Sequence, residues 1–279
     1  ISLKKDRINE LVKYPKFIFY KVDVIDKQKI EDIFSEFKPT VVINLAAQAG
    51  VRYSLKNPNA YISANVLGFM NILEACRIYN VQSLIYASSS SVYGGNDKMP
   101  FSIKDPVNKP TSIYAVTKRA NELMAYSYSQ LYSLRTTGLR LFTVYGPWGR
   151  PDMAMYIFAD SIIDDKPIKL FNYGKMKRDF TYIDDIISGI RLSIEKNYKC
   201  EIFNLGYNKA NPIINVVKII EKHMGKKALI DFTDIQPGDV QATFSDIDYT
   251  KQKLNYSPKV SINKGVPNFL SWHKKYHNY

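Results

Sequence analysis

The chain has 279 residues, 46% of them hydrophobic, which is enough to bury a sizeable core and excludes a disordered chain. Its formal net charge of +13 is spread without a basic run, so we expect a lysine-rich surface or a local diphosphate site, and no nucleic-acid partner. No stretch approaches the roughly 20 apolar residues of a membrane span, and no signal peptide is recognisable, so we expect a cytoplasmic protein without a membrane partner.

Short β-branched or aromatic runs alternate with longer helical patterns between residues 17 and 205, which predicts a parallel sheet covered by helices. We predict strands at Phe17–Val24, Thr40–Ala46, Ser83–Ser88, Arg135–Tyr145 and Glu201–Leu205. We predict helices at Lys27–Phe37, Pro58–Tyr79, Tyr114–Tyr132, Met153–Asp164, Ile183–Ile194 and Ile214–Met224. The predicted fold class is therefore α/β.

The composition of the sequence changes after Gly146, where predicted loops rich in proline and glycine become frequent. We therefore predict a cofactor domain at residues 1–146 and a smaller, mainly substrate-binding lobe at residues 147–279. Some segments of the lobe are expected to return to the first domain. The two cysteines, Cys76 and Cys200, have no neighbouring Cys or His at metal-ligand spacing, so we expect inert thiols and no metal site.

Tyr114 and Lys118 are four residues apart in a predicted helix and therefore lie on one face. A nearby ammonium favours the phenolate, so Lys118 is predicted to lower the pKa of Tyr114 and make it a usable base. Taken alone, this spacing indicates little, because the chain has 21 tyrosines and many lysines. On its own, a pair without catalytic function is the favoured explanation.

A run of four serines, Ser88 to Ser91, lies upstream of Tyr114 and Lys118 and makes a functional role for the pair more credible. The run follows directly on an apolar predicted strand, and ligands of open α/β sheets bind outside the carboxyl ends of strands. A serine-rich turn that only aids solubility is the alternative. The combination of this strand end with Pro110, Thr111 and Tyr114 favours a functional site.

With four further segments, these motifs resemble the extended short-chain dehydrogenases and, within them, the UDP-glucuronate 4-epimerases. The further segments are residues 44–54 (NLAAQAGVRYS), 142–154 (FTVYGPWGRPDMA), 178–185 (RDFTYIDD) and 236–240 (QPGDV). The resemblance covers nearly the whole chain. It implies a Rossmann-like doubly wound parallel sheet, a smaller C-terminal lobe that binds a UDP-sugar, and tightly bound NAD as cofactor.

The start of the chain departs from this family's pattern. A domain of this type begins with a strand, a G-x-x-G-x-x-G loop and a helix whose N-terminus holds the pyrophosphate. None of these is present before Phe17. We therefore expect that the first strand, the glycine-rich loop and the second strand are missing, and that the chain is a fragment of a longer protein.

The resemblance also implies roles for particular residues. Tyr114 is the implied acid/base at the sugar C4 hydroxyl, Lys118 holds the nicotinamide ribose, and Ser89 shares the proton network. The other implied cofactor contacts are Asp23, Val24, Leu45, Ala46, Ala47, Gln48 and Asn65. The implied nucleotide contacts are Lys169, Phe171, Arg178, Gln236 and Asp239, and the candidates for binding a sugar carboxylate are Arg52, Ser88, Ser90, Thr143 and Arg150.

The serine run also bears on the reaction. Related 4,6-dehydratases carry an Asp-Glu pair, and related decarboxylases a Glu, where this chain has Ser90 and Ser91. Epimerisation needs no such extra acid and base, so we expect conversion of UDP-glucuronate to UDP-galacturonate through a 4-keto intermediate. The alternatives are a 4-epimerase of a neutral or N-acetylated UDP-hexose and a non-catalytic NAD-binding regulator; intact Ser89, Tyr114 and Lys118 argue against the regulator.

The resemblance implies a homodimer formed by the helices near Asn65–Tyr79 and Tyr114–Tyr132. Four apolar positions on the first of these helices are compatible with a packed face between subunits: Val66, Leu67, Met70 and Leu73. A face that packs on the core of the same chain explains them almost as well.

Overall fold

The computed structural model describes residues 2–235 and 240–279 of the chain. Its strands are β1 (Val41–Asn44), β2 (Ser83–Ser89), β3 (Arg135–Leu141), β4 (Thr143–Tyr145), β5 (Ile168–Phe171), β6 (Lys177–Tyr182), β7 (Cys200–Leu205), β8 (Ala210–Pro212) and β9 (Ile230–Thr233). Its α-helices are α1 (Ser2–Leu11), α2 (Lys27–Phe37), α3 (Val51–Lys56), α4 (Pro58–Tyr61), α5 (Gly68–Ile78), α6 (Ile113–Tyr132), α7 (Ala154–Ile163), α8 (Ile183–Lys196), α9 (Ile213–Met224), α10 (Asp248–Leu254) and α11 (Ile262–His277). The predicted α/β class is confirmed.

The central sheet is parallel and has the strand order β1-β2-β3-β7. One of its faces packs on α5 and α6, where Leu73 and Ala125 join Leu84 of β2 in one apolar cluster. The other face packs on α8, where Ile186 joins Ile85 of β2 in a second cluster. Because all the strands run the same way, their carboxyl ends meet at one edge, and the serine run lies at that edge, with Ser88 and Ser89 as the last two residues of β2.

The second lobe has its own sheets and its own core. Strand β4 pairs parallel with β6, β6 pairs antiparallel with β8, and β5 pairs parallel with β9. Its buried apolar cluster includes Phe158 of α7, Val216 of α9 and Phe269 of α11. Strand β7 lies later in the chain than β4 and β6 but belongs to the central sheet.

Two predicted strands differ in the structure. Residues 17–23 are irregular, because no described strand lies beside them to complete a ladder; the Asn71 side chain instead donates to the Val24 carbonyl at 3.0 Å. The predicted strand Arg135–Tyr145 divides at Phe142 into β3 of the central sheet and β4 of the second lobe. This division lies just before residue 146, where we placed the domain boundary.

Several elements escaped the sequence analysis for physical reasons. Helix α1 is strongly polar and buries only Leu3, so it carries no apolar period. Helix α11 contains Pro267, which argues against a helix in a sequence pattern. The short strands β5, β6, β8 and β9 and the helices α3 and α10 were also missed. No helix within the described residues combines the length and the apolarity that crossing a bilayer requires.

Candidate active site

Tyr114 and Lys118 lie in the first turns of α6, next to the carboxyl end of β2. The helix begins after Ser112, whose hydroxyl accepts a hydrogen bond from the backbone N–H of Ala115 at 3.2 Å. The Lys118 ammonium donates to the carbonyl of Ala87 in β2 at 2.7 Å. This bond fixes the face that carries both residues against the strand that leads to the serine run.

The phenol of Tyr114 has three polar or aromatic neighbours. Ser89 hydrogen-bonds it, the guanidinium of Arg150 acts on it electrostatically, and the ring of Tyr61 lies edge-on at 6.1 Å between centroids. Burial raises the pKa of Tyr114 and outweighs the opposing effects of Ser89 and Arg150. The predicted lowering of the Tyr114 pKa is therefore wrong for the protein alone, because the effect of burial is the largest and raises it.

Burial also acts on Lys118, which is only 5% exposed. Desolvation lowers the pKa of its ammonium to about 8, so the side chain is still mostly cationic at pH 7. An ammonium has three donors, and the described residues provide Lys118 with one hydrogen-bond acceptor. The side chain therefore keeps the capacity to bind further hydroxyl groups.

The serines of the run have different partners. Ser88 donates to the Glu122 carboxylate at 2.6 Å in the interior, whereas Ser89 lies 3.2 Å from the Ser91 hydroxyl and also bonds Tyr114. Ser90 is half-buried, and its hydroxyl bonds to no described residue. The expectation that Ser88 binds a sugar carboxylate therefore disagrees with the geometry, because its proton is already donated. Ser90 keeps that capacity.

A buried polar network that the sequence analysis missed lies beneath the serine run. Glu122, one helical turn after Lys118, forms a bidentate pair with Arg140 of β3 at 2.8 and 2.9 Å. Arg140 also donates to the Tyr93 hydroxyl at 3.0 Å, and Tyr93 donates to Asn204 of β7 at 2.7 Å. The network thus joins α6 to two strands. A charged residue within an apolar predicted strand was its only sequence signal.

The turn after the serine run depends on a glycine. Gly94 has a φ of +59°, and a Cβ atom there would lie 2.1 Å from the backbone oxygen of Lys109. This close approach brings the segment before α6 against the end of the serine run. The glycine at position 94 therefore helps to place Tyr114 beside Ser89.

The predicted cofactor residues Leu45, Ala46, Ala47 and Gln48 follow β1 at the same edge of the sheet. Leu45 is 54% exposed, which leaves an apolar surface open there. Asn65 lies in the π-helical turn Ile62–Leu67 and bonds the Gln48 backbone in both directions, at 2.7 and 3.0 Å. Its amide also donates to Thr117 at 3.0 Å, so Asn65 shapes this loop rather than offering a free amide to a ligand.

The two earliest predicted cofactor residues, Asp23 and Val24, precede α2. The Asp23 side chain is exposed and accepts from the backbone N–H of Ile25 at 3.1 Å. Val24 packs against Gly68 at the start of α5, where a Cβ atom would lie 2.6 Å from a Val24 methyl group. Their contact with a cofactor stays a prediction.

The remaining predicted substrate residues gather around the second lobe. The Arg52 guanidinium lies 4.2 Å from the centre of the Phe171 ring, so α3 of the first domain contacts β5 of the lobe. Lys169 of β5 is exposed, and Arg178 of β6 donates to the carbonyl of Lys177 at 2.9 Å. Arg150 is paired with Asp152. Gln236 and Asp239 lie outside the described residues.

Residues 2–206 match the model of the NAD dependent epimerase/dehydratase family. The chain belongs to this family. It is 45% identical to Protein CapI of Staphylococcus aureus, over 99% of this chain and 88% of that protein. It is 43% identical to a UDP-glucuronate 4-epimerase of Thermodesulfobacterium geofontis, over 99% of this chain and 85% of that protein.

Among solved structures, this epimerase-family chain is similar to UDP-glucuronic acid 4-epimerase from Bacillus cereus in complex with UDP-glucuronic acid and NAD. The TM-score is 0.92 at 33% identity, and the match covers 99% of this chain and 87% of that one. The Rossmann-like fold expected from the motifs is confirmed by this similarity.

Two features of the site in this family member suit the binding of NAD. The buried Lys118 ammonium has donors beyond its bond to Ala87, and these suit the hydroxyls of a ribose. The exposed apolar surface at Leu45 lies at the carboxyl edge of the sheet, where dinucleotides bind in such folds.

Asp179 of β6 is a further residue of the second lobe that the sequence analysis quoted in a motif without a role. Its fully buried carboxylate accepts from the backbone N–H groups of Tyr207, Asn208 and Ser245 at 2.7, 3.2 and 3.0 Å. It therefore fixes two loops beside β6, next to Arg178. Burial nevertheless raises its pKa, against these hydrogen bonds.

Proposed function

We propose that this chain is an NAD-dependent 4-epimerase of UDP-sugars, and that it converts UDP-glucuronate to UDP-galacturonate. One observation carries the proposal: Ser89, Tyr114 and Lys118 are brought together at the carboxyl end of β2. No carboxylate stands at Ser90 or Ser91, so the extra acid and base of a dehydratase are lacking there. The family membership and the nucleotide-sugar 4-epimerases among its relatives support the same reaction.

In the proposed mechanism, the phenolate of Tyr114 takes the proton of the sugar C4 hydroxyl. Ser89 and Arg150 favour that phenolate, as the direction of their effects on the pKa of Tyr114 indicates. Lys118 would hold the ribose of bound NAD, which would supply a hydride acceptor and donor for C4 with no net change over a full turnover. The 4-keto sugar turns about its diphosphate linkage between these steps, and Tyr114 gives the proton back to the new C4 alkoxide.

The proposed preference for an acidic sugar rests on hydroxyls with unused donors. Ser90 and Thr143 are half-buried, and within the described part of the chain their side-chain hydroxyls have no hydrogen-bond partner, although the Thr143 backbone belongs to the β4–β6 ladder. A C6 carboxylate accepts several hydrogen bonds, whereas a C6 hydroxymethyl group carries one weakly polar oxygen. The cationic side chains of Arg52 and Arg150 add a positive field of the required sign.

The test of this proposal is product analysis by NMR after incubation of the purified protein with NAD and one UDP-sugar at a time. UDP-glucuronate, UDP-glucose and UDP-N-acetylglucosamine are supplied separately. We expect inversion at C4 of UDP-glucuronate with a much higher rate than for the other two. Faster inversion of either neutral sugar would establish the alternative substrate class, and no inversion of any of them would favour a non-catalytic NAD-binding protein.

A homodimer is part of the proposal. Leu67 in the π-helical turn and Leu123 and Tyr126 on α6 are 52%, 54% and 58% exposed, which leaves apolar area for a second copy. Leu73, by contrast, is fully buried and belongs to the core of its own chain. Solution scattering is expected to give a dimer mass, and a monomer mass at every concentration would contradict it. The cytoplasmic location stays a prediction.

A further inference from the structure

A cluster of metal-ligand side chains lies in the second lobe, where α7 packs beside α11. His273 and His277 are one helical turn apart on α11 and therefore share a face. Asp160 on the neighbouring α7 approaches the same face. None of these residues belongs to the candidate active site.

The three side chains are close enough to share one ion. One ligand atom from each lies within 4.8 Å of the other two, and Oδ1 of Asp160 is 3.0 Å from Nε2 of His273. Zinc binds imidazole nitrogen and carboxylate oxygen at about 2.0–2.2 Å, so tetrahedral ligand atoms stand about 3.4 Å apart. Asp160 is half-exposed and His277 is exposed, and a small side-chain rotation would close the remaining gap of at most about 1.4 Å.

The unpaired ring nitrogen of His273 is the observation that points to a bound ion. The residue is fully buried, and its Nε2 atom has no hydrogen-bond partner. The Asp160 carboxylate oxygen is near enough, at 3.0 Å, but the pair lacks hydrogen-bond geometry. A buried ring nitrogen without a partner is costly, and an ion between the two atoms would remove that cost.

Each of the two imidazole rings also contacts a tyrosine hydroxyl through one of its nitrogens, as metal-bound histidines contact an outer hydrogen-bond partner. Nδ1 of His273 lies 2.9 Å from the Tyr279 hydroxyl, which leaves Nε2 as the ligand atom. Nε2 of His277 lies 2.7 Å from the Tyr156 hydroxyl. Such outer hydrogen bonds orient the imidazole and select its tautomer in known metal sites.

We propose that Asp160, His273 and His277 form a binding site for a divalent transition metal ion, with zinc as the best match. Two imidazoles and one carboxylate are a donor set that zinc accepts, with water in a fourth position. Because Asp160 is on α7 and the histidines are on α11, the ion would join two helices of the second lobe. The site was not expected from the sequence, since Asp160 is distant from the His-x-x-x-His spacing.

The experiment is zinc titration by calorimetry on the tag-free full chain after dialysis against a chelator. The test variants are His277→Gln and Asp160→Asn, both at exposed or half-exposed positions that the fold tolerates. The matched control is His223→Gln, which alters the third histidine of the chain, an exposed residue on α9 outside the cluster. Circular dichroism checks that each variant is folded.

We expect saturable binding of one zinc ion per chain by the unaltered protein and by His223→Gln. Loss of a ligand is expected to weaken binding at least about 100-fold in His277→Gln and Asp160→Asn. If one test variant fails to fold, the other decides. Unchanged affinity in a folded test variant, loss of binding in His223→Gln, or no saturable binding by the unaltered protein would each overturn the proposal.

Discussion

The charged side chains around the active-site helix α6 are buried, whereas the cations around β5 and β6 of the second lobe are exposed. Lys118, Glu122 and Arg140 are 5%, 2% and 3% exposed, and each has a partner at hydrogen-bond distance. Lys169 and Arg178 of the second lobe are exposed or half-exposed. Buried, paired charges hold reacting groups in one geometry, whereas exposed cations suit the recognition of an anion. Changes near α6 should therefore affect chemistry and stability, and changes near the second lobe should affect substrate choice.

The largest effect is expected from Tyr114→Phe. Removal of the phenol hydroxyl should lower kcat by about 10⁴-fold, because general base catalysis at C4 is lost. UDP binding by calorimetry and the melting temperature should change little. The matched control is Tyr14→Phe, at a 67% exposed position outside the site and the proposed dimer face. Activity of Tyr114→Phe within about tenfold of the unaltered enzyme would rule out Tyr114 as the base.

The next largest effect is expected from Glu122→Ala. The substitution leaves Arg140 buried without its carboxylate partner and should lower the free energy of unfolding by about 3–5 kcal/mol. Urea unfolding measures this loss, and Glu10→Ala, which breaks the exposed pair with Lys13, serves as control. A loss for Glu122→Ala as small as that for the control would contradict the contrast between buried and exposed charges.

A smaller effect, confined to one substrate, is expected from Thr143→Val. The substitution keeps the shape and removes a donor, and a hydrogen bond to a charged group contributes about 1.5–3 kcal/mol. The value of kcat/KM for UDP-glucuronate should therefore fall about 10- to 100-fold, with little change for UDP-glucose. UDP-glucose is the internal control. Equal losses for both substrates would show that Thr143 does not bind the carboxylate.

The last prediction concerns stability alone, where Lys118→Met is expected to have a smaller effect than Glu122→Ala and of the opposite sign. The pKa of Lys118 is lowered from 10.5 to about 8 in the folded protein, so the unfolded chain binds more protons between those values. The contribution of Lys118 to stability should therefore rise with pH between about 8 and 10.5, as the cost of a buried ammonium disappears, whereas tyrosines whose pKa is raised by burial act in the opposite direction near pH 10. Lys118→Met avoids that cost and should be more stable by about 2 kcal/mol at pH 7, after allowance for the lost bond to Ala87.

Thermal unfolding of both proteins at pH 7 and pH 10 measures this difference. The tyrosines act equally in both proteins, so the excess stability of Lys118→Met at pH 7 should largely disappear at pH 10. An equal pH dependence in the two proteins would mean that Lys118 is not the group that titrates.

The central sheet was predictable from the sequence because its strands are short apolar runs followed by periodic helices. Helix α2 has the predicted bounds, and β2 differs by one residue. Residues 17–23 were predicted wrongly because a strand needs a partner, which a single run of β-branched residues does not reveal. Helix α11 was missed because Pro267 argues against a helix in the sequence. In the structure, the surrounding packing keeps the helix despite this residue.

The meeting of Tyr114, Lys118 and Ser89 was predictable from the sequence, but the electrostatics around them were not. The spacing of Tyr114 and Lys118 and the position of Ser89 after a strand correctly indicated that these residues meet. The direction of the Tyr114 pKa shift depends on burial, which spacing does not report. The partner of Ser88 is Glu122, far along the chain, so no local pattern showed that its hydroxyl is used in the interior.

The central claim is that a hydride leaves C4 of the sugar and returns to the same carbon within one turnover. The most direct test is incubation of the purified protein and NAD with UDP-glucuronate that carries deuterium at C4, followed by NMR of the product. We expect UDP-galacturonate that retains deuterium at C4 when the reaction runs in ordinary water. Inverted product with solvent hydrogen at C4, or no inverted product at all, would contradict the account.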